Sequence, residues 1–172
     1  MDIMQADRQD TIKNSQRLTC LLLSRCKDLL EEYCFRQGFE FENVNPRPLT
    51  CPEPAAEQRP KCPSERLQET AAALRTLVRR LQEVKRWQTD LNPDAHKLHE
   101  LLEDVIYKLG DLCANLEMVR SSAKLHQYPC AQETPPHTVF DRKMVGLSVC
   151  QGCLDWLQVA KTDLDDWSCV NV

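Results

Sequence analysis

The sequence predicts an all-α protein, an up-up-down-down four-helix bundle with two long crossover loops. Apolar residues recur three and four positions apart in four separate segments, which is the pattern of helices with one buried face. Only 4 of the 172 residues are glycine, whereas an all-β domain needs many glycine-containing turns. The connections between the segments are long, short and long, which favours a bundle with two parallel pairs of helices. An up-down bundle with elaborated loops is the alternative.

The first helix is predicted over residues 9–37 and ends at Gly38, because glycine readily adopts the left-handed conformation that closes many helices. Its buried stripe is predicted to contain Ile12, Thr19, Leu22, Leu23, Cys26, Leu29, Leu30 and Tyr33. Six of the ten prolines follow within residues 39–63, so this segment is predicted to be a connection. A connection of roughly 25 residues can return along a helix of about 28 residues, which allows the first two helices to be parallel.

The second and third helices are predicted over residues 64–87 and 93–121. Ser64 is a favourable N-cap for the second helix. Asn92 followed by Pro93 is typical of the N-cap and first position of a helix, here the third. Because the link between these two helices is short, they are predicted to form an antiparallel pair.

The fourth helix is predicted over residues 138–168, with Thr138 as its N-cap. A second long, proline-containing connection precedes it, which allows the third and fourth helices to be parallel. We expect residues 1–172 to form a single domain, since a chain of this length can bury roughly two thirds of its unfolded surface in one core.

The composition argues against several classes of protein. The formal net charge is −4, whereas nucleic-acid binding favours a basic surface, so we expect no nucleic-acid partner. The longest uninterrupted apolar runs, residues 20–23 and 71–74, are far too short to cross a membrane, so we expect no membrane insertion.

No motif indicates an enzyme, a cofactor or a metal. Cys150 and Cys153 form a CxxC, but they lie in a helical pattern and not in the strand–helix unit of a redox motif. The chain has neither a nucleophile elbow nor a glycine-rich phosphate loop. His96 and His99 are spaced to chelate, yet no second CxxC stands at zinc-finger spacing, and a solvated polar face explains them more simply.

The cysteine content favours an extracellular protein. Ten cysteines are an even number, and a cytosolic protein would keep them reduced. The first residues lack the basic and apolar regions of a signal peptide. Two interpretations remain open, a secreted chain whose leader has been removed and a leaderless protein.

One stripe on the third helix is unusual for a solvated face. Tyr107, Gly110, Ala114 and Met118 follow helical spacing on the outward side but are small or apolar. A glycine within a helix is about 1 kcal/mol less favourable than alanine, and close approach of another surface is one reason to keep it. The stripe is a binding face, a set of residues simply tolerated at the surface, or a widening of the buried face.

An aromatic residue and a cation stand together at the start of the fourth helix, as Phe140-x-x-Lys143. The phenyl ring either packs on its own helix as a hydrophobic staple or stands exposed as an interface anchor beside the lysine.

Phe140-x-x-Lys143, with Gly146 six residues after the phenylalanine, resembles the FxxK motif of the leukaemia inhibitory factor, oncostatin M and ciliary neurotrophic factor group within the interleukin-6 family. Other segments are similar to the same group: residues 29–38, 66–69, 91–99 and 156–164. Together they cover all four predicted helices in the correct order. The mixture of features resembles a divergent member such as a fish leukaemia-inhibitory-factor-like cytokine.

The resemblance implies a secreted, monomeric cytokine. Such a protein brings a glycoprotein 130 type receptor and a leukaemia inhibitory factor receptor type chain together and so triggers JAK/STAT signalling by receptor-associated kinases. It implies that Phe140 and Lys143 dock on the leukaemia inhibitory factor receptor type chain. A second surface on the first and third helices is implied for glycoprotein 130, at Gly110, Ser15, Thr19, Tyr107, Ala114 and Met118.

The resemblance also implies disulfides. One family bridge ties the first long connection to the last helix, which corresponds here to Cys51 with Cys150. Another ties the first helix to the third, which corresponds to Cys20 with Cys113. The alternative to a cytokine is an intracellular helical adaptor that binds partner helices and keeps its cysteines reduced.

Overall fold

The computed structural model describes residues 3–39, 59, 62–119, 136 and 138–170. These form four helices, α1 (Ile3–Gln37), α2 (Pro63–Leu91), α3 (His96–Met118) and α4 (Val139–Val170). The part of the chain that is described contains no strand. The prediction of an all-α four-helix bundle is confirmed.

Polar contacts between helices fix their directions. Gln16 and Tyr33 of α1 bond to Asp165 and Lys143 of α4, so the two helices are antiparallel. Pairs of polar contacts establish the same relation for the other neighbours. They are Arg25–Asp104 and Lys97–Glu32 between α1 and α3, Lys85–Glu103 and Arg75–Glu117 between α2 and α3, and Arg66–Asp166 and Thr70–Asp163 between α2 and α4. Consequently α1 is parallel to α2 and α3 is parallel to α4, which is the up-up-down-down arrangement.

Each helix packs against two antiparallel neighbours, and the backbones of the parallel partners lie farther apart, diagonally across the bundle. Leucines from all four helices meet in the centre, together with Tyr33 and Trp156, the largest of the fully buried side chains. The predicted stripes supply most of this core, as their spacing requires.

The ends of α1 and α4 follow the predicted cap chemistry. Gly38 has φ +75°, and the amides of Gly38 and Phe39 donate to the carbonyls of Phe35 and Cys34, which is a Schellman motif. At α4, the hydroxyl of Thr138 accepts a 3.0 Å hydrogen bond from the amide of Asp141.

The ends of α2 and α3 differ from the prediction. The residue before α2 is Cys62, and Pro63 occupies the first turn, because proline's fixed φ suits that place and extends the residue before it. The role predicted for Ser64 as N-cap is therefore wrong.

Asn92 ends α2 and does not begin α3. Its amide donates to the carbonyl of Gln88, four residues earlier, and its side chain donates to the Gln88 carboxamide at 2.8 Å. Pro93 lies in the turn, and α3 begins at His96 after Ala95, which makes no side-chain cap. Gln88, in the last turn of α2, is buried, and this helix is longer than predicted.

Candidate functional site

The start of α4 presents an aromatic ring to solvent. Phe140 is 59% exposed and its neighbour Val139 is 51% exposed. Because Thr138 is the N-cap, Phe140 is the second helical residue and does not hold the position before the cap that a hydrophobic staple requires. The geometry is that of a free aromatic side chain at the end of a bundle.

The backbone beneath this ring is tied to α1. The hydroxyl of Tyr33, which is fully buried, donates a 2.8 Å hydrogen bond to the carbonyl of Lys143. The ammonium group of Lys143 approaches the carbonyl of Gln37, the last residue of α1, at 3.5 Å. A Cβ added at Gly146 would overlap the Tyr33 hydroxyl, so glycine is needed there for the tyrosine to reach its acceptor.

A buried amide cluster lies at the same end of the bundle. The Gln37 side chain donates to the carboxamide of Gln88 at 2.7 Å, and the side chain of Asn92 donates to Gln37 at 3.3 Å. The three amides join α1 to the turn between α2 and α3. Together with the Tyr33 bond they hold this end in one arrangement, with Phe140 standing above it.

The outer face of α3 forms the second candidate surface. Tyr107 is 71% exposed and Met118 is 69% exposed, and Gly110 and Ala114 are exposed between them. A Cβ added at Gly110 would have no atom within 4 Å. Packing within this chain therefore gives no reason for a glycine at that position, and the widened-buried-face interpretation is wrong.

Two residues assigned to this surface from α1 lie elsewhere. Ser15 and Thr19 are both fully buried, and their hydroxyls donate to the carbonyls of Thr11 and Ser15, one turn earlier. Their assignment to a receptor surface is wrong, because α1 turns this side toward its neighbours. The apolar spacing had already placed Thr19 on the buried stripe.

Comparison with known proteins agrees with these features. The family model described as ciliary neurotrophic factor matches residues 2–169. Cardiotrophin-1 of Rattus norvegicus is 31% identical over 170 residues, covering 89% of this chain and 83% of that protein. Cardiotrophin-1 of Homo sapiens is 32% identical over 168 residues, with the same coverage. The chain belongs to the ciliary neurotrophic factor family.

Membership of the ciliary neurotrophic factor family confirms the resemblance to interleukin-6-type helical cytokines. It makes the chain a non-enzymatic signalling protein of the glycoprotein 130 cytokine family, and that family is secreted. It does not support the intracellular adaptor. Within the described residues, no helix combines the length and apolarity needed to cross a membrane.

One of the two predicted disulfides, Cys20 with Cys113, is not formed in the structure. Cys113 is buried with its sulfur 3.9 Å from the carbonyl of Ala71 on α2, whereas Cys20 is exposed on α1, so the pairing of these two thiols is wrong. Cys150 is a fully buried thiol, and its predicted partner Cys51 lies outside the described residues, so that pairing stays a prediction.

Buried thiols form part of the core of this bundle. Burial raises the pKa of Cys26 and of Cys113 to about 12, and it also raises the pKa of Cys34, Cys150 and Cys153. A neutral thiol packs as a small apolar side chain, so these cysteines act as filling between helices. These five cysteines therefore contribute to the core as buried side chains.

The sequence did not predict two exposed apolar residues, Leu21 and Phe35, or the hydrogen bond by which Tyr33 holds the backbone of Lys143. Leu21 is 44% exposed and Phe35 is 71% exposed on α1, off the apolar stripe. Tyr33 was predicted to be in the core, but its role in holding Lys143 was not. The sequence contained a signal for this contact. A buried tyrosine hydroxyl needs a hydrogen-bond acceptor, and Gly146 leaves space for it on the facing helix.

Proposed function

We propose that this chain is a secreted cytokine that brings together a glycoprotein 130 type receptor and a leukaemia inhibitory factor receptor type chain, and so triggers JAK/STAT signalling. The observation that carries the proposal is a pair of separate exposed surfaces on a rigid bundle. One is the end site, Phe140 and Lys143. The other is the α3 stripe, Tyr107, Gly110, Ala114 and Met118.

The end site is assigned to the leukaemia inhibitory factor receptor type chain. An exposed aromatic ring beside a cation is a frequent anchor of protein interfaces. The hydrogen bond from Tyr33 to the carbonyl of Lys143 holds the backbone before any partner arrives, which reduces the entropy lost on binding. Phe140 is 59% exposed, so the ring has apolar surface left to bury against a receptor.

The α3 stripe is assigned to the glycoprotein 130 type receptor. Tyr107 and Met118 offer apolar area, and Gly110 between them lets another backbone approach closely. By helical spacing the exposed Glu100 and Asp111 share this face, so a partner with positive charge around an apolar centre would complement it.

Separate surfaces on one monomer would allow two receptor chains to bind at once. The end site lies at the start of α4, and the stripe lies on α3, the helix diagonally across the bundle from α4. A single monomer with two such surfaces is sufficient to bring the kinase-bearing receptor chains together.

Binding to the separate extracellular domains of the two receptors tests the proposal. We expect Phe140→Ala with Lys143→Ala to weaken binding to the leukaemia inhibitory factor receptor type chain roughly 30-fold or more, as for a central anchor. Binding to glycoprotein 130 should be unchanged. Tyr107→Ala with Met118→Ala should have the opposite selectivity.

Phe35→Ala is the matched control, because Phe35 is an exposed aromatic residue at the end of α1 and outside both surfaces. It should affect neither receptor, and all variants should keep the far-UV circular dichroism of the parent. Full signalling by the Phe140 and Lys143 double variant in cells carrying both receptors would refute the end site.

A further inference from the structure

The end of the bundle opposite Phe140 is clamped by one arginine. The guanidinium of Arg59 donates to both oxygens of Asp163, at 2.8 and 3.0 Å, and to the hydroxyl of Thr70 at 3.0 Å. Thr70 in turn donates to Asp163 at 2.6 Å. This clamp fixes residue 59, just before α2, against both α2 and α4.

The contacts between α2 and α4 define a register that continues to the end of both helices. Thr70 is paired with Asp163, and Arg66, four residues earlier, is paired with Asp166, three residues later, at 3.4 Å. A further step of four residues back from Arg66 reaches Cys62, and a further step of three residues on from Asp166 reaches Cys169. The two cysteines therefore lie at the same level of the bundle. Cys62 also lies between Arg59 and Arg66, both of which are bound to α4.

Both thiols are exposed and unbonded. Cys62 has an extended backbone immediately before α2, and Cys169 lies in the last turn of α4. Packed helices are roughly 8–10 Å apart, and a disulfide needs Cα atoms within about 7 Å, so helix ends, where the backbone can adjust, are favourable places for one.

We propose that Cys62 and Cys169 are a disulfide site that closes when the protein meets a low-molecular-weight disulfide such as oxidised glutathione. One cysteine thiolate attacks the glutathione disulfide, which forms a mixed disulfide and releases one glutathione thiolate. The second cysteine thiolate then attacks the sulfur of the first, which forms the Cys62–Cys169 bond and releases the second glutathione. The two cysteines lose two protons and two electrons, and the glutathione disulfide is reduced to two thiols.

The other described thiols do not compete for this bond. The pKa of Cys26 and of Cys113 is raised by burial, so they supply little thiolate. Cys20 is exposed on α1, but the pairing of Gln16 with Asp165 places it near the level of residue 160 of α4, roughly 13 Å along the helix from Cys169.

The bond would join the end of the first crossover to the last turn of α4 and close a loop of roughly 100 residues, a length at which cross-links restrict the unfolded chain strongly. It lies at the end opposite Phe140 and away from the α3 stripe. It is therefore independent of the proposed receptor surfaces, and receptor binding should be unchanged by it.

Peptide mapping of the whole protein tests the site. Native protein is incubated with oxidised glutathione, its remaining thiols are alkylated, and the digest is analysed by mass spectrometry. We expect a cross-linked peptide containing Cys62 and Cys169, the loss of two reactive thiols per chain and an upward shift of the melting temperature.

Cys62→Ser and Cys169→Ser should each abolish the cross-link and the shift, whereas the matched exposed variant Cys20→Ser should keep both. Stable mixed disulfides on Cys62 and Cys169 without a cross-link would overturn the proposal. So would a bond from either residue to another cysteine, or the absence of any reaction. The parent protein alone decides between these outcomes, so the test does not depend on the folding of a variant.

Discussion

The hydroxyl of Tyr33 donates a 2.8 Å hydrogen bond to the carbonyl of Lys143 and joins the last turns of α1 to the first turns of α4. We expect Tyr33→Phe to lower the free energy of unfolding by about 0.5–1.5 kcal/mol, because the ring still fills the core while the hydrogen bond from the hydroxyl to this carbonyl is lost. Chemical denaturation followed by circular dichroism measures this. A change near zero would show that the carbonyl finds another donor.

Substitution by alanine should have opposite effects on stability at Gly146 of α4 and at Gly110 of α3. Gly146→Ala should destabilise the fold by about 1–3 kcal/mol, because the new methyl group would overlap the Tyr33 hydroxyl. Gly110→Ala should stabilise it by about 1 kcal/mol, because its methyl group meets nothing and alanine favours the helix. Thermal denaturation of the two variants measures the difference, and shifts of equal sign would contradict the packing described for Tyr33.

Two arginine–aspartate pairs on the α2–α4 contact should differ in strength. Arg59→Ala should lower the free energy of unfolding by about 3–5 kcal/mol, because it leaves Asp163, 1% exposed, as a buried charge without its ion partner. Arg66→Ala is the matched control: its partner Asp166 is 45% exposed, and an exposed pair contributes about 1 kcal/mol or less. Similar losses for both variants in urea titrations would argue against the clamp.

Stability should fall at alkaline pH under reducing conditions. Burial raises the pKa of Cys26 from 9.0 to about 12, and it raises the pKa of Tyr33 as well. Above pH 9 the unfolded chain therefore releases protons that the folded chain retains. Each buried thiol can then lower the free energy of unfolding by up to about 1.4 kcal/mol per pH unit, and this stability is fully present below that pH.

The measurement is the slope of unfolding free energy against pH, from pH 7 to pH 11, in the presence of a thiol reductant. Cys26→Ala should reduce the slope, whereas Cys20→Ser, at an exposed position, should leave it unchanged. A stability that stays constant across this range would mean that the thiols ionise within the folded protein.

The directions of the helices were predictable from the sequence, because spacing identifies buried faces and the lengths of connections limit how helices can be joined. The exposure of Phe140 was not, because a staple and an anchor have the same sequence at the start of a helix. The sequence also did not predict that Gly146 is closely packed while Gly110 is open, since this depends on whether a tyrosine of another helix lies beside the glycine.

The positions of Ser15 and Thr19 show a limit of assigning residue roles from a family resemblance. Their assignment came from resemblance to a family, whereas the periodicity of α1 alone placed Thr19 on the buried stripe, and the structure agrees with the periodicity. The prediction of a bond between Cys20 and Cys113 failed for a related reason. A pairing pattern from relatives takes no account of which cysteines this chain uses to fill its core, such as Cys113 against Ala71.

The antiparallel contact between neighbouring helices has an electrostatic consequence at the end site. Lys143 lies in the early turns of α4, where the positive end of that helix's dipole disfavours a cation. The negative end of the α1 dipole is beside it, and the Lys143 ammonium lies 3.5 Å from the carbonyl of Gln37. The field of α1 thus offsets that of α4, so a positive charge next to Phe140 is stabilised by a helix to which it does not belong.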